Sequence, residues 1–463
     1  MGLLPHLAGR TVAVMGLGRS GLSAARALKQ SGARVWAWDD KAEARTAAVA
    51  AGVEVADLTT AAWGDIALLV WSPGIPHTYP APHAVAQQAR RHGVKLVCDI
   101  DLLAVACPSA HFIGITGTNG KSTTTTLVAH IMTTAGLQAA AGGNLGTPAL
   151  DLPALGVDGS YVLEVSSYQL ELLDQAFFDV AVLLNITPDH IGRHGGMDGY
   201  MAAKAGIFDR LRPGAVAVIG VDDAFCRGIF NELSGRAGSL TVAISAERPV
   251  PGGVSAPDGI LVDDSDGLGL QVVDLKPIAT LPGRHNWQNA CAAFAVARAT
   301  GIGIEPIVRG LATYPGLAHR QELVAVIDGV RYVNDSKATN ADAAAKAMVC
   351  YDHIYWIVGG QPKEDGIASL EPLFPRVRHA FLIGEASEAF AAILQGKVAY
   401  SRCGTLADAV VSARAAAIAD GDADAVVLLS PACASWDQFT SFEHRGTVFR
   451  EVVAGLPGER SVR

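Results

Sequence analysis

Residues 111–126 read HFIGITGTNGKSTTTT: a short apolar run, a glycine turn, then Lys-Ser opening a threonine-rich stretch. That order constrains the fold, because a glycine loop between a buried strand and a helix aims backbone N–H groups and the helix N-terminus at one point, where an anion binds. The strict phosphate loop G-x-x-x-x-G-K-[ST], counted back from Gly120-Lys121-Ser122, asks for glycine at 115 and meets Ile115. The loop is therefore a shortened form. We expect a strand over HFIGIT and a helix ending near Gly136, with Lys121 reaching the β/γ phosphates of a nucleotide and the Ser122 hydroxyl at a Mg²⁺ site. A glycine turn with an incidental Lys-Ser is the blander reading, and the strand–turn–helix context weighs against it.

The rest of the chain repeats one alternation of β-branched run, glycine turn and alanine-rich helical pattern, the mark of an α/β protein. TVAVMGLG, ARVWAWDD and IALLVWSPG, followed by KLVCDIDLL, form a first βαβ region. SYVLEVSS and VAVLLNITPDH are buried-strand candidates of the loop's own region, and residues 233–280 form a loop and short-strand elaboration of it. The pattern restarts after residue 314 with RYVNDSKATN, IYWIVGG, AFLIGE and AVVLLSPA. At 463 residues the chain is too long for one ordinary core. We expect three domains: a Rossmann-like domain over 1–106, a central P-loop-type parallel sheet over 107–316 and a Rossmann-like C-terminal domain over 317–463.

A net charge of −9 with no Lys/Arg-rich run leaves no footprint for nucleic acid or anionic lipid. The seven cysteines are scattered, with neither C-x-x-C pairs nor a disulfide-like spacing. No stretch is apolar for long enough to span a bilayer, and the N-terminus reads as a first strand rather than a signal peptide. We expect a cytoplasmic protein acting on small molecules.

Two more strands of the central region end in polar groups, SYVLEV near Glu164 and VAVLLNI before Thr187, Asp189 and His190. In a parallel sheet both ends lie at the carboxyl edge beside the loop, where Glu164 and His190 could hold a second Mg²⁺. Alternatively Glu164 caps a helix and His190 is a satisfied loop histidine. Near the N-terminus, Gly16-Leu-Gly18-Arg-Ser-Gly21 follows TVAVM, and Asp39 and Asp40 end the next strand, matching the fingerprint for a diphosphate attached to a ribose. A nicotinamide-dependent dehydrogenase would explain this motif, but it leaves Lys121 without a role. A non-catalytic nucleotide switch is a third reading.

GTNGKST (117–123), GGNLG (142–146), EVSSYQLE (164–171), NITPDH (185–190), LPGRHNWQN (281–289), HR (319–320), NDSKATN (334–340) and SPACASWDQF (430–439) occur in this order. Together they resemble the Mur ligases, ATP-dependent amino-acid-adding enzymes of peptidoglycan synthesis, over essentially the whole chain. The last two blocks most resemble the member that adds D-glutamate to UDP-N-acetylmuramoyl-L-alanine.

The resemblance implies transfer of the ATP γ-phosphoryl to a substrate carboxylate, attack of an amine on the acyl phosphate, and release of ADP and phosphate. It also accounts for the shortened loop, which in this family has the form G-T-N-G-K-[ST]. By the same resemblance Gly117, Thr118, Asn119, Gly120, Lys121, Ser122, Thr123 and Thr124 hold the ATP phosphates. Asn286 and Asn289 lie near adenine, and Arg320 and Asp335 close over the nucleotide. Ser122 takes one Mg²⁺; Glu164, His190 and Lys204, the last as a carbamate, take the other. Asn144 and Ser166 touch the carboxylate-bearing substrate, while Arg19, Ser20, Asp39, Asp40 and Ser72 line the UDP site. D-Glutamate falls to Lys337, Thr339, Lys363, Ser435 and Phe442. A monomer is expected.

Overall fold

The computed structural model describes residues 4–236, 240–362, 366–422 and 424–461. The chain divides into two compact units, Met1–Leu275 with Arg284–Tyr314, and Lys276–Gly283 with Pro315–Arg463.

The first unit carries two sheets. Strands β1 (Thr11–Met15), β2 (Arg34–Trp38), β3 (Ile66–Trp71) and β4 (Leu96–Val97) pair in parallel in the order β2-β1-β3-β4. KLVCDIDLL is a strand only at Leu96–Val97; from Asp99 to Ala106 it is a helix. Asp99 and Asp101 occupy the first turn of that helix, where acidic groups suit the positive helix end. The apolar run that suggested a longer strand is instead a helix buried nearly all round.

The second sheet comprises β5 (His111–Thr116), β6 (Gln138–Gly143), β7 (Gly159–Glu164), β8 (Phe178–Leu183), β9 (Leu211–Gly220), β10 (Leu240–Ser245), β11 (Val254–Ser255), β12 (Ile260–Asp263) and β13 (Leu270–Asp274). Its order is β13-β12-β11-β10-β9-β8-β5-β7-β6, parallel from β6 to β11 and antiparallel across β11-β12-β13. The central strands β5, β7 and β8 are almost wholly buried, as expected of parallel strands covered on both faces. Helix Lys121–Thr134 follows β5 and packs on helices Arg284–Ala299 and Ile304–Thr313.

Side-chain bonds tie the first sheet's region to the second. The Asp101 carboxylate accepts the backbone N–H groups of Asp174, Gln175 and Ala176 at 2.9 to 3.0 Å. The Ser23 hydroxyl donates to Asp151 Oδ1 at 2.7 Å.

The second unit has one sheet: β14 (Glu322–Ile327), β15 (Val330–Asn334), β16 (Ile354–Gly359), β17 (Val377–Ile383), β18 (Tyr400–Gly404) and β19 (Val426–Leu429), in the order β14-β15-β19-β16-β17-β18. Only β14 runs antiparallel to its neighbour. Trp356 and Val358 join one core, Tyr355 and Ile357 another, so alternate residues of β16 serve opposite covered faces. The seven cysteines are all free thiols. Among the described residues no helix is long and apolar enough to cross a membrane.

Candidate active site

The loop between β5 and helix Lys121–Thr134 lies at the carboxyl edge of the second sheet, between the ends of β7 and β8. Asn185, just beyond β8, props it up. Its carbonyl accepts Thr118 N at 2.8 Å, and its side chain accepts Asn119 N at 2.9 Å and donates to Asn119 O at 3.2 Å. Thr118 Oγ1 lies 3.0 Å from the Tyr200 hydroxyl and accepts Thr187 N at 3.0 Å. Lys121 folds back over the loop, its ammonium donating to Gly117 O at 2.8 Å and Thr118 O at 2.9 Å. Thr124 and Asn289 stand behind it, joined by a 3.2 Å bond from Thr124 Oγ1 to Asn289 Oδ1, and Thr123 lies beside Thr124 on the helix.

Four sequence-predicted residues, Ser122, Asn144, Glu164 and Lys204, converge here. Glu164 is 3 % exposed at the end of β7; its Oε2 accepts the Ser122 hydroxyl at 2.6 Å and its Oε1 accepts Asn144 Nδ2 at 2.7 Å. Glu164 is therefore no helix cap: Ser166 caps helix Ser167–Leu170, in a capping box with Gln169. Lys204, 2 % exposed, donates to Gly117 O at 2.8 Å, and its ammonium lies 4.8 Å from the Tyr200 ring centroid. Burial, aided by the Lys121 charge, lowers its pKa from 10.5 to about 7. The amine can thus be neutral near physiological pH.

His190 stands outside this hydrogen-bonded cluster. Its φ is +51°, its side chain is 57 % exposed, Nε2 lies 3.5 Å from Asp189 Oδ2, and its ring centroid is 5.5 Å from that of Tyr168. Asn286 and Asn289 are buried, with Asn289 Nδ2 donating to Asn286 Oδ1 at 3.1 Å.

At the glycine loop after β1, Asp39 Oδ2 accepts Leu17 N at 2.7 Å and Oδ1 accepts Lys41 N at 2.9 Å. Each oxygen thus accepts one backbone N–H, which fixes the carboxylate at the loop and leaves it half-buried with further acceptor capacity. Asp40 pairs with His83 Nε2 at 3.0 Å. Ser20 and Ser72 line one small cavity with Trp71 and Asp99, and Arg19 reaches Gly146 O at 3.4 Å.

In the second unit, Asp335 is buried at the end of β15, accepts Ser430 Oγ at 2.8 Å and Gln321 N at 3.2 Å, and is pushed up to about 7 by burial, with Arg320 opposing the shift. The Lys337 ammonium sits 3.9 Å from the Phe442 ring centroid. Thr339 follows in the same turn, its N–H donating to Lys337 O at 2.8 Å, and Ser435 is buried. Lys363 lies outside the described residues.

The sequence motifs assign no role to Asn185 or Tyr200, although both side chains brace the loop. Asn185 stands inside the quoted NITPDH block and could have been found there; Tyr200, four residues before Lys204 on one helix, could have been found by its i,i+4 spacing.

The family model of the Mur ligase middle domain matches residues 115–297, and that of the Mur ligase MurD-like N-terminal domain matches residues 10–98. A protein of Paramagnetospirillum magneticum named UDP-N-acetylmuramoylalanine–D-glutamate ligase is 60 % identical over 97 % of each chain. One of the same name from Rhodospirillum rubrum is 58 % identical over 99 % of this chain and 97 % of its own. The chain belongs to the Mur ligase family. Within the family it groups with these D-glutamate ligases.

Solved Mur ligases share the fold at low identity. The UDP-N-acetylmuramate-alanine ligase MurC of Thermotoga maritima matches with a TM-score of 0.58 at 15 % identity, over 96 % of this chain and 99 % of its own. The MurF ligase of Thermotoga maritima, solved in complex with ADP, matches with a TM-score of 0.57 at 17 % identity, over 98 % and 97 %. The α/β, three-domain architecture is thus that of the Mur ligases, and the GLGRSG motif belongs to a MurD-like N-terminal domain rather than a dehydrogenase.

Proposed function

We infer that this chain joins D-glutamate to UDP-N-acetylmuramoyl-L-alanine at the expense of ATP, a step of peptidoglycan precursor synthesis. The substrate carboxylate attacks the γ-phosphorus and ADP leaves. The amine then attacks the acyl carbon, and phosphate departs with the carboxyl oxygen. The observation that carries the reading is the loop at Gly117–Ser122 with Glu164, Asn144 and Lys204 bonded to it or to one another.

The loop amides with Lys121 hold the phosphates, Thr123 and Thr124 continue the phosphate-facing turn, and Asn286 and Asn289 serve the adenine end. Arg320 and Asp335 are further nucleotide contacts. The hydroxyl of Ser122 and the carboxylate of Glu164, 2.6 Å apart, are hard oxygen donors of the kind Mg²⁺ prefers, which supports a metal there. Lys204 fits carbamylation because that reaction needs a neutral amine, and the carbamate would offer an oxygen anion to the second Mg²⁺, the one assigned to Glu164 and His190. His190 would complete the set after turning from Asp189. Mg²⁺, if bound by these residues, would supply positive charge against the phosphoryl oxygens.

Asn144 and Ser166 orient the muramoyl carboxylate, and Arg19, Ser20, Asp39, Asp40 and Ser72 face the UDP portion. Lys337, Thr339, Lys363, Ser435 and Phe442 take D-glutamate. We also propose domain limits of 1–106, 107–316 and 317–463, and a cytoplasmic setting in keeping with nucleotide substrates.

Mass analysis of the product from UDP-N-acetylmuramoyl-L-alanine, ATP, Mg²⁺ and D-glutamate tests the reading. A product heavier by one glutamyl residue, with one phosphate released per product, is expected; phosphate release without that product would overturn it.

A further inference from the structure

Arg445 stands in the first turn of helix Phe442–Ala454 and is wholly buried. A cation there opposes the positive end of the helix dipole, and a buried charge without a counter-charge is costly. Yet no carboxylate among the described residues hydrogen-bonds or ion-pairs with it; Asp437 acts on it only through space.

Its guanidinium donates instead to neutral oxygens: Nε to Ser336 Oγ at 3.0 Å, one terminal nitrogen to Ser336 O at 2.9 Å and Cys433 O at 3.1 Å, the other to Ala434 O at 3.3 Å. Ser336 Oγ donates in turn to Phe442 O at 2.8 Å. One planar fork therefore joins three segments: the turn after β15, which continues into Lys337; the turn after β19, which continues into Ser435; and the helix start at Phe442. Burial lowers its pKa to about 10, which still leaves it charged at neutral pH.

We propose that Arg445 is a positioning residue for the amino-acid substrate: its fork sets the spacing of the Lys337, Ser435 and Phe442 segments, and its charge adds to that of Lys337 and the helix N-terminus to favour a dicarboxylate. The proposal rests on the reading of those three residues as D-glutamate contacts. A point charge cannot replace the fork, since lysine has neither its planarity nor its spread of donors.

Steady-state kinetics with D-glutamate, ATP and UDP-N-acetylmuramoyl-L-alanine varied in turn, alongside thermal melting, test it on Arg445→Lys and Ser336→Ala. Arg445→Lys should raise KM for D-glutamate about tenfold or more, the effect of losing a charge-assisted hydrogen bond, with KM for ATP changed less than about twofold. Ser336→Ala, which removes the acceptor of Arg445 Nε and the donor to Phe442 O, should raise KM for D-glutamate in the same selective way by about threefold or more. Lower melting temperature with all three KM values unchanged would show a merely structural role and overturn the proposal. If Arg445→Lys does not fold, Ser336→Ala decides by the same criterion. A wild-type enzyme that makes product with another amine but not with D-glutamate would overturn the underlying reading as well, and is seen before any variant is made.

Discussion

Lys204 is the residue whose chemistry depends most on its surroundings. A lone helix lysine is ordinarily exposed, and only resemblance to a family marked this one out in the sequence. The structure buries it between the Tyr200 ring and the Gly117 carbonyl, 87 residues away along the chain. Its folded pKa of about 7 lies below the unfolded value of 10.5, so between these values the unfolded chain binds more protons and stability rises with pH; below about 7 the penalty is present in full. Lys204→Met should therefore gain stability over wild type at pH 6 in CO₂-free buffer, and the gain should shrink toward pH 10. Urea unfolding at the two pH values checks this; a gain independent of pH would contradict the burial of a titrating amine. Lys121 is the proposed phosphate contact of the loop, and Lys121→Ala should lower kcat by about 10² to 10³ while the protein stays folded, as for other single contacts to developing charge. Near-normal turnover would remove it from the site.

Among the elements, the loop from Gly117 to Gly120 was legible because strand, glycine turn and helix follow one another within a dozen residues. What the pattern could not show is how tightly the loop is enclosed. Gly120 has φ of +84°, and a Cβ there would run into the Asn289 side chain and lie 3.2 Å from Leu184 Cδ1. Gly136, after the same helix, has the same φ of +84° but nothing within 4 Å of a Cβ. Gly136→Ala should thus cost only backbone strain, about 1 to 2 kcal/mol, and keep ATP affinity. Gly120→Ala should cost more and weaken ATP binding by about tenfold or more, since the loop must move; calorimetric titration beside urea unfolding separates the two. Equal behaviour of the pair would mean that Asn289 does not brace the loop. KLVCDIDLL shows the opposite failure. An apolar run buried on every side carries no period, so strand and helix look alike until the packing is known.

For the whole molecule, substrate choice is the property furthest from any single motif. Lys337, a cation, and Ser435, a buried hydroxyl, stand on segments held by one buried guanidinium, a setting suited to an amino acid with two carboxylates. D-Alanine would leave donors of such a site unpaired, which discriminates strongly, and a diamino acid would bring a cation against Lys337. In a single reaction containing D-glutamate, L-glutamate, D-alanine and meso-diaminopimelate, D-glutamate should dominate the product; preference for another amine would overturn the specificity and leave the ligase chemistry standing.

The sequence alone determined the α/β alternation, the phosphate loop and, through ordered blocks spread over the chain, the family, because each is written in neighbouring residues. Tertiary structure decided which polar groups are committed: Asp39 to the backbone of its own loop, Glu164 to Ser122 and Asn144, His190 beside Asp189, Arg445 beneath the Lys337 and Ser435 segments. Burial and hydrogen-bond partners come from residues far apart in the chain. They set charge and reach at the site, and no local pattern contains them.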